Sequence, residues 1–109
     1  EDILQVVFDN LLLNSVQQND NTLKLNVTIN VAEINGFLKI KYSDNGKGLD
    51  DKYKTNPRKI LEVHETTRAN GHGLGMWIVN NTCIMSGGEI QKIEGEGGFS
   101  IEFTIGGKL

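Results

Sequence analysis

Apolar residues return every three or four positions in two stretches of the chain, a spacing typical of helices with one buried face. The first stretch spans residues 2–18, where Asp2 is a suitable N-cap residue. The second spans residues 73–86 and ends at Gly87-Gly88, because glycine is favoured just after the last helical turn. The apolar positions of these two predicted helices are Ile3, Leu4, Val7, Phe8, Leu11 and Leu12, then Leu74, Ile78, Val79, Cys83 and Ile84.

Alternation of apolar and polar residues predicts four strands, arranged as two hairpins. The first hairpin turns at Asn35-Gly36, the dipeptide that most strongly favours a tight turn. The second turns at the glycine-rich stretch 95–98. The predicted strands are residues 23–31, 37–42, 89–93 and 99–105.

Residues 49–70 separate the first hairpin from the second helix and show no clear period. They contain the only proline of the chain. Long irregular segments in compact domains are usually functional. We therefore expect a mobile loop, with a short helix near residues 57–63. The order of helix, hairpin, loop, helix and hairpin predicts an α+β fold. It would be a two-layer sandwich of a mixed, mostly antiparallel sheet with helices on one face.

Composition narrows the classes of function. A chain of 109 residues is one domain or part of one, and its abrupt start at Glu1-Asp2 suggests a fragment of a longer protein. Its 14 acidic and 11 basic residues argue against a nucleic-acid partner. The single cysteine, Cys83, cannot form an internal disulfide and favours a reducing, cytoplasmic location. No apolar run in this chain is long enough to cross a membrane. Because the chain is expected to be a fragment, this does not decide whether the parent protein is membrane-bound.

Two polar motifs could contribute to a ligand site. Asn10 and Asn14 lie one helical turn apart, and carboxamides at this spacing suit Mg²⁺ and phosphate. Asp44 follows a strand, so its carboxylate can accept a hydrogen bond from an exocyclic amine such as that of adenine. Gly46 and Gly48 would let the backbone approach a flat ligand. Taken singly, the two motifs are better explained by a polar helix face and a plain Asp-Asn-Gly turn.

A second glycine cluster, Gly71-His72-Gly73-Leu74-Gly75, leads directly into the second predicted helix. Backbone N–H groups at a helix N-terminus bind phosphate. A dinucleotide-binding loop would follow the first strand of a parallel βαβ unit, and no such strand precedes this cluster. A Walker A loop is excluded as well, because no Gly-Lys-Ser/Thr follows.

Together and in this order, the motifs resemble those of the GHKL superfamily of ATP-binding domains. This superfamily includes histidine kinases, gyrase-type topoisomerases, heat-shock chaperones and mismatch-repair ATPases. The resemblance covers nearly the whole chain and implies the Bergerat ATP-binding fold. The matching segments are residues 9–15 for the N box, 44–49 for the G1 box, 60–68 for the F box, 71–76 for the G2 box and 98–103 for the last strand.

The resemblance implies roles by position. Asn14 would hold the Mg²⁺ that bridges the phosphates, and Asp44 would bind the adenine amine. Residues 50–70 would form an ATP lid, and Arg68 would reach the phosphates, completing a catalytic set with Asn10 and Asn14. The remaining ATP contacts are expected from Gly46, Gly48, Leu49, Thr67, Gly71, His72, Gly73, Leu74 and Gly75.

One position separates the branches of the superfamily. Hydrolytic members carry a glutamate four residues before the metal-binding asparagine, whereas this chain has Asn10, as histidine kinases typically do. A carboxamide cannot act as a general base near neutral pH. The resemblance therefore implies a sensor kinase domain that binds Mg-ATP and donates the γ-phosphate to a histidine. That histidine would lie on a dimerisation and phosphotransfer domain of the same homodimeric protein, with a response regulator downstream.

Departures from the family pattern keep two alternatives open. Gln17 stands where histidine kinases often carry a basic residue, and Leu61, His64 and Glu65 replace the F-box aromatics. A non-catalytic nucleotide-binding or interaction module is the second hypothesis, and a hydrolytic ATPase, disfavoured by Asn10, is the third. His64-Glu65 is not a zinc-protease motif, because the second histidine is absent. His64 is also not expected to be the phosphoacceptor, because that histidine belongs on a long dimerising helix.

Overall fold

The structure, a computed structural model, describes residues 2–18, 24–49, 51–62 and 75–106. Its elements are α1 (Ile3–Gln18), β1 (Val27–Ile34), β2 (Phe37–Asp44), α2 (Asp51–Lys54), a 3₁₀ helix (Pro57–Leu61), α3 (Gly75–Met85), β3 (Ile90–Glu94) and β4 (Ser100–Ile105). The predicted order of helices and hairpins is confirmed. None of the described helices has both the length and the apolar composition needed to cross a membrane.

The four described strands form one antiparallel sheet in the order β1-β2-β4-β3. On the central strands, Ile40 of β2 lies opposite Phe103 of β4, and Tyr42 lies opposite Ile101. These four side chains are fully buried, whereas Lys41, on the other face of β2, is exposed. Among the described residues, one face of the sheet is therefore covered, which confirms the predicted two-layer α+β arrangement.

The helices α1 and α3 pack against each other and supply the second layer. Val7 and Leu11 of α1, with Val79 and Cys83 of α3, join the strand residues in a single apolar core. Burial raises the pKa of the Cys83 thiol from its ordinary value of 9.0 to about 12, because the thiolate would lose its solvation. Cys83 therefore acts as a small buried apolar side chain, as its position in the predicted helix indicated.

Two apolar residues predicted to be buried on the helices are instead exposed. Leu12 is 40% exposed and Ile84 is 56% exposed. On α1 the buried row runs from Val7 to Ser15, so Leu12 lies outside the interface with the sheet. The sequence shows which helical positions are apolar, but the docking angle of the helix decides which of two adjacent rows is covered.

Local signals in the sequence correctly mark the ends of elements. The backbone N–H of Leu4 donates to Asp2 Oδ1 over 3.0 Å, which makes Asp2 the N-cap of α1. Asn35-Gly36 joins β1 to β2 with positive φ at both residues, as a two-residue hairpin turn requires. Gly87, at φ +95°, closes α3 by donating its N–H to the Ile84 carbonyl over 3.0 Å.

Residues 51–62, which the sequence pattern assigned to an irregular loop, are packed on the core as α2 and the 3₁₀ helix. Arg58 Nη1 donates to the Ile90 carbonyl over 3.0 Å and ties this segment to β3. The 3₁₀ helix lies where a short helix was expected. The side chains that this segment adds to the core are Tyr53, Ile60 and Leu61.

Candidate functional site

The carboxylate of Asp44 is held in one orientation at the end of β2. It is only 9% exposed. Its Oδ1 accepts the backbone N–H of Gly46 over 2.9 Å and that of Phe99 over 3.1 Å. Its Oδ2 accepts the hydroxyl of Ser15 over 2.7 Å. Three donors from three separate parts of the chain therefore fix the plane of this carboxylate.

Ser15 and Tyr42 connect this carboxylate to α1. Both side chains are buried, and their oxygens are 2.7 Å apart. The Tyr42 hydroxyl also lies 3.1 Å from the Leu11 carbonyl of α1. Burial raises the pKa of Tyr42 and the charge of Asp44 adds to this, while the hydrogen bond with Ser15 opposes it. Tyr42 is thus a neutral hydroxyl that can donate within this network.

Asn45 fixes the start of the glycine loop that follows β2. Its Oδ1 accepts the backbone N–H of Asn26 over 2.7 Å, and its Nδ2 donates to the Lys24 carbonyl over 3.0 Å. The Asn45 backbone N–H also donates to the Asn26 carbonyl over 3.2 Å. The side chain thus continues the pairing of β1 with β2 past the end of both strands. This residue holds the loop in place, a role that the sequence motif did not reveal.

Glycines in this loop and in the turn between β3 and β4 are required by close contacts between backbone segments. A Cβ at Gly48, which has φ +81°, would lie 2.0 Å from the Gly95 carbonyl oxygen. A Cβ at Gly98, at φ +116°, would lie 2.2 Å from the Asp44 carbonyl oxygen. The turn between β3 and β4 therefore packs directly on the loop and brings the Phe99 N–H to the carboxylate. Sequence reasoning explained Gly48 by ligand access, whereas the structure adds this packing requirement.

Asn10 borders the first turn of α3. Its Nδ2 donates to the Val6 carbonyl over 2.8 Å, so one N–H of the carboxamide is bound within its own helix. A Cβ added at Gly75 would lie 3.6 Å from Asn10 Oδ1, which places the N-terminus of α3 against the asparagine row of α1. Asn14, half-buried, continues this row one turn further.

The structure brings several predicted site residues together along α1. Through Ser15, α1 contacts Asp44 and its loop, and through Asn10 it contacts the N-terminus of α3. Sequence reasoning missed the residues that position Asp44, namely Ser15, Tyr42, Gly98 and Phe99. The only advance signal was a serine in the apolar row of α1. Predicted site residues outside the described part of the chain are Thr67, Arg68, Gly71, His72, Gly73 and Leu74, together with the side chain of Gln17.

Comparison with known proteins is consistent with this arrangement. Residues 1–108 match the family described as "Histidine kinase-, DNA gyrase B-, and HSP90-like ATPase". The chain is 35% identical over 99 residues to sensor histidine kinase ZraS of Escherichia coli O157:H7, covering 88% of this chain and 20% of that protein. It is 28% identical over 105 residues to a probable C4-dicarboxylate sensor kinase of Halalkalibacterium halodurans, covering 94% and 18% respectively. The chain thus spans about a fifth of these relatives.

Solved structures share the fold. The mycobacterial sensor histidine kinase MprB superposes with a TM-score of 0.73 at 19% identity, over 94% of this chain and 69% of that one. The catalytic domain of histidine kinase ThkA, in a nucleotide-free form, gives a TM-score of 0.74 at 23% identity, over 94% and 66%. Full-length ShkA in complex with AMPPNP gives 0.69 at 23% identity, over 94% and 21%. With the family match over residues 1–108, the chain belongs to the histidine kinase-, DNA gyrase B- and HSP90-like ATPases.

Proposed function

We propose that residues 1–109 are the ATP-binding catalytic domain of a sensor histidine kinase. The domain would bind Mg-ATP and present the γ-phosphate to a histidine on a separate dimerisation domain of a homodimeric parent protein. A response regulator would then receive the phosphoryl group, and the use of ATP would place the domain in the cytoplasm. Family membership and the sensor kinases among its relatives support this proposal. The observation that carries it is the positioned carboxylate of Asp44.

Asp44 has the geometry expected of an adenine-binding residue. A carboxylate oxygen can accept two hydrogen bonds, and the backbone N–H groups of Gly46 and Phe99 occupy both positions on Oδ1. Ser15 takes one position on Oδ2, so that oxygen has capacity for a second donor. The exocyclic amine of adenine is a donor of the right kind for this position.

The position of Asn10 beside the start of α3, with Asn14 one turn further along α1, supports the proposed phosphate and metal site. Asn10 adjoins Gly75 at the start of α3, and the N-terminus of a helix favours negative charge. The carboxamide oxygen of Asn14 is a hard ligand suited to Mg²⁺, which would neutralise phosphate charge. Among the described residues, His, Cys, Asp and Glu side chains form no cluster of three that could hold a metal ion. The fit to Mg²⁺ therefore depends on Asn14 together with phosphate oxygens.

The lid and the remaining phosphate contacts stay predictions. Because residues 51–62 are anchored in the core, a segment that closes over ATP would begin after Glu62. Thr67, Arg68 and the glycine cluster 71–75 are the proposed contacts of that region. They would wrap the triphosphate and neutralise charge that develops during phosphoryl transfer.

Calorimetric titration of the chain with AMPPNP, in Mg²⁺ and in EDTA, tests the proposal. We expect saturable binding that weakens in EDTA, and we expect Asn14→Ala to abolish most of that difference. Asn81→Ala, which removes an exposed asparagine from α3, is the matched control and should bind like the unmodified chain. A folded chain that does not bind at millimolar AMPPNP would contradict the proposal and favour a non-catalytic interaction module.

A phosphate-release assay separates the kinase proposal from a hydrolytic ATPase. Asn10 donates to the Val6 carbonyl and cannot take a proton from water, so the chain alone should release almost no phosphate from ATP. Asn10→Glu supplies a carboxylate at the same helical position, and phosphate release should then appear. Substantial turnover by the unmodified chain would count against phosphoryl transfer to a histidine.

A further inference from the structure

A serine at the end of the apolar row of α1 requires an explanation beyond packing. Ser15 is 1% exposed and follows Val7 and Leu11 at helical spacing. Burying a hydroxyl without a partner costs free energy, so a serine is a poor core residue unless it is hydrogen-bonded. Here its oxygen lies 2.7 Å from Asp44 Oδ2 and 2.7 Å from the Tyr42 hydroxyl oxygen.

The direction of these hydrogen bonds follows from counting protons. A carboxylate accepts only, so the single proton of Ser15 points to Asp44. The oxygen of Ser15 is then the acceptor for Tyr42, whose proton it shares with the Leu11 carbonyl at 3.1 Å. Tyr42 therefore donates to Ser15, and Ser15 donates to Asp44, the residue proposed to bind the base.

This network also joins the two ends of the proposed nucleotide site. Ser15 directly follows Asn14, the residue proposed to hold Mg²⁺, and both lie in the last turns of α1. Asp44 ends β2 on the adjacent sheet. The bond from Ser15 to Asp44 therefore fixes the separation between the metal-binding turn and the base-binding carboxylate.

We infer that Ser15, itself held by Tyr42, is the positioning residue that orients the Asp44 carboxylate and so determines selectivity for a base carrying an exocyclic amine. This inference rests on the proposed function. Ser15 acts through Asp44 and is not a catalytic residue. Its loss should weaken binding of an amine-bearing purine while leaving binding of the same nucleotide without the amine unchanged.

Calorimetric titration with two nucleotides tests this directly. ATP carries the exocyclic amine, and purine riboside triphosphate is the same nucleotide without it. The unmodified chain should prefer ATP by roughly tenfold or more, because hydrogen bonds to charged groups are the stronger kind. Ser15→Ala should reduce that preference by roughly fivefold through weaker ATP binding alone.

Two further variants keep the result interpretable. Tyr42→Phe retains the ring and should reduce the preference for ATP by less than Ser15→Ala does. It replaces Ser15→Ala as the test if that variant does not fold. Ser86→Ala removes another hydroxyl with two hydrogen bonds, to the Cys83 carbonyl and from the Gly106 N–H, at the far end of α3 from Gly75. That control should leave the preference for ATP unchanged.

The outcomes are distinct. A fall in the ATP preference in Ser15→Ala, with purine riboside triphosphate binding unchanged, supports the inference. Equal weakening of both nucleotides, or no change in either, overturns it and leaves the proposed function standing. An unmodified chain that binds both nucleotides equally also overturns it, because Asp44 then does not bind the amine. Failure of the unmodified chain to bind either nucleotide overturns the proposed function and this inference together.

Discussion

Asp44→Asn should invert the base preference of this domain, and the geometry around the residue gives the reason. The backbone N–H groups of Gly46 and Phe99 both donate to Oδ1, so a carboxamide must place its oxygen there. Its NH₂ then replaces Oδ2, where Ser15 can turn its hydroxyl to accept. A hydrogen-bond donor therefore replaces an acceptor at the position proposed for the base.

The magnitude follows from the bonds exchanged. ATP would lose one hydrogen bond to a charged acceptor, which contributes about 1.5–3 kcal/mol, and affinity should fall roughly 10- to 100-fold. Inosine triphosphate has a carbonyl oxygen in place of the amine and would gain an ordinary hydrogen bond of about 1 kcal/mol, a rise of roughly fivefold. The ratio of the two affinities should therefore shift by at least about fiftyfold.

Titration calorimetry with both nucleotides measures this shift, and a thermal melt by circular dichroism checks that the isosteric variant folds. An unchanged ATP preference in folded Asp44→Asn would refute the assignment of Asp44 as the amine acceptor. A preference that disappears without turning towards inosine triphosphate would show that the two backbone donors do not bind the carboxamide oxygen, and would refute the orientation assigned to the carboxamide.

Three further predictions concern stability and its dependence on pH. Gly48→Ala should lower the free energy of unfolding by about 2–4 kcal/mol in urea titrations, because the new Cβ meets the Gly95 oxygen. Gly36→Ala, at a similar φ of +84° with nothing within 4 Å of its new Cβ, should lower it by only about 1 kcal/mol. Equal losses in the two variants would show that the clash at Gly48 is relieved. Asn45→Ala removes two hydrogen bonds that continue the β1–β2 pairing and should cost about 1–2 kcal/mol, whereas no loss would mean that water replaces them. The buried Cys83 thiol has its pKa raised from 9.0 to about 12, so the stability that it contributes is complete below pH 9 and is lost as pH rises towards 12. Between about pH 8 and pH 10 the unmodified chain should lose about 1.4 kcal/mol more than Cys83→Ala, and parallel pH profiles would contradict the raised pKa.

The sequence predicted the secondary structure because its determinants are local. Hydrophobic spacing of 3.6 or 2 residues identifies helices and strands without knowledge of their neighbours. Asp2, Asn35-Gly36 and Gly87 terminate their elements through bonds and φ values within a few residues of themselves. The resemblance to the superfamily is likewise carried by short segments, so family and fold class could be inferred from the sequence alone.

The sequence pattern was less informative where contacts join distant parts of the chain. Leu12 and Ile84 were predicted to be core residues, yet they are 40% and 56% exposed because the docking of α1 and α3 covers a neighbouring row. Residues 51–62 have no clear period, yet they are anchored through side chains that insert into a core built by other elements. Periodicity cannot report either effect, since both depend on the relative placement of whole elements.

The sequence by itself determined the order of elements, the α+β class and the motif positions of Asn14 and Asp44. Only the tertiary structure decided what orients Asp44, because its partners Ser15 and Phe99 lie 29 and 55 residues away along the chain. It also decided why Gly48 must be glycine, since the carbonyl that excludes a Cβ belongs to a turn between two later strands. Motifs specify the groups that carry chemistry, whereas long-range packing fixes the direction in which those groups point.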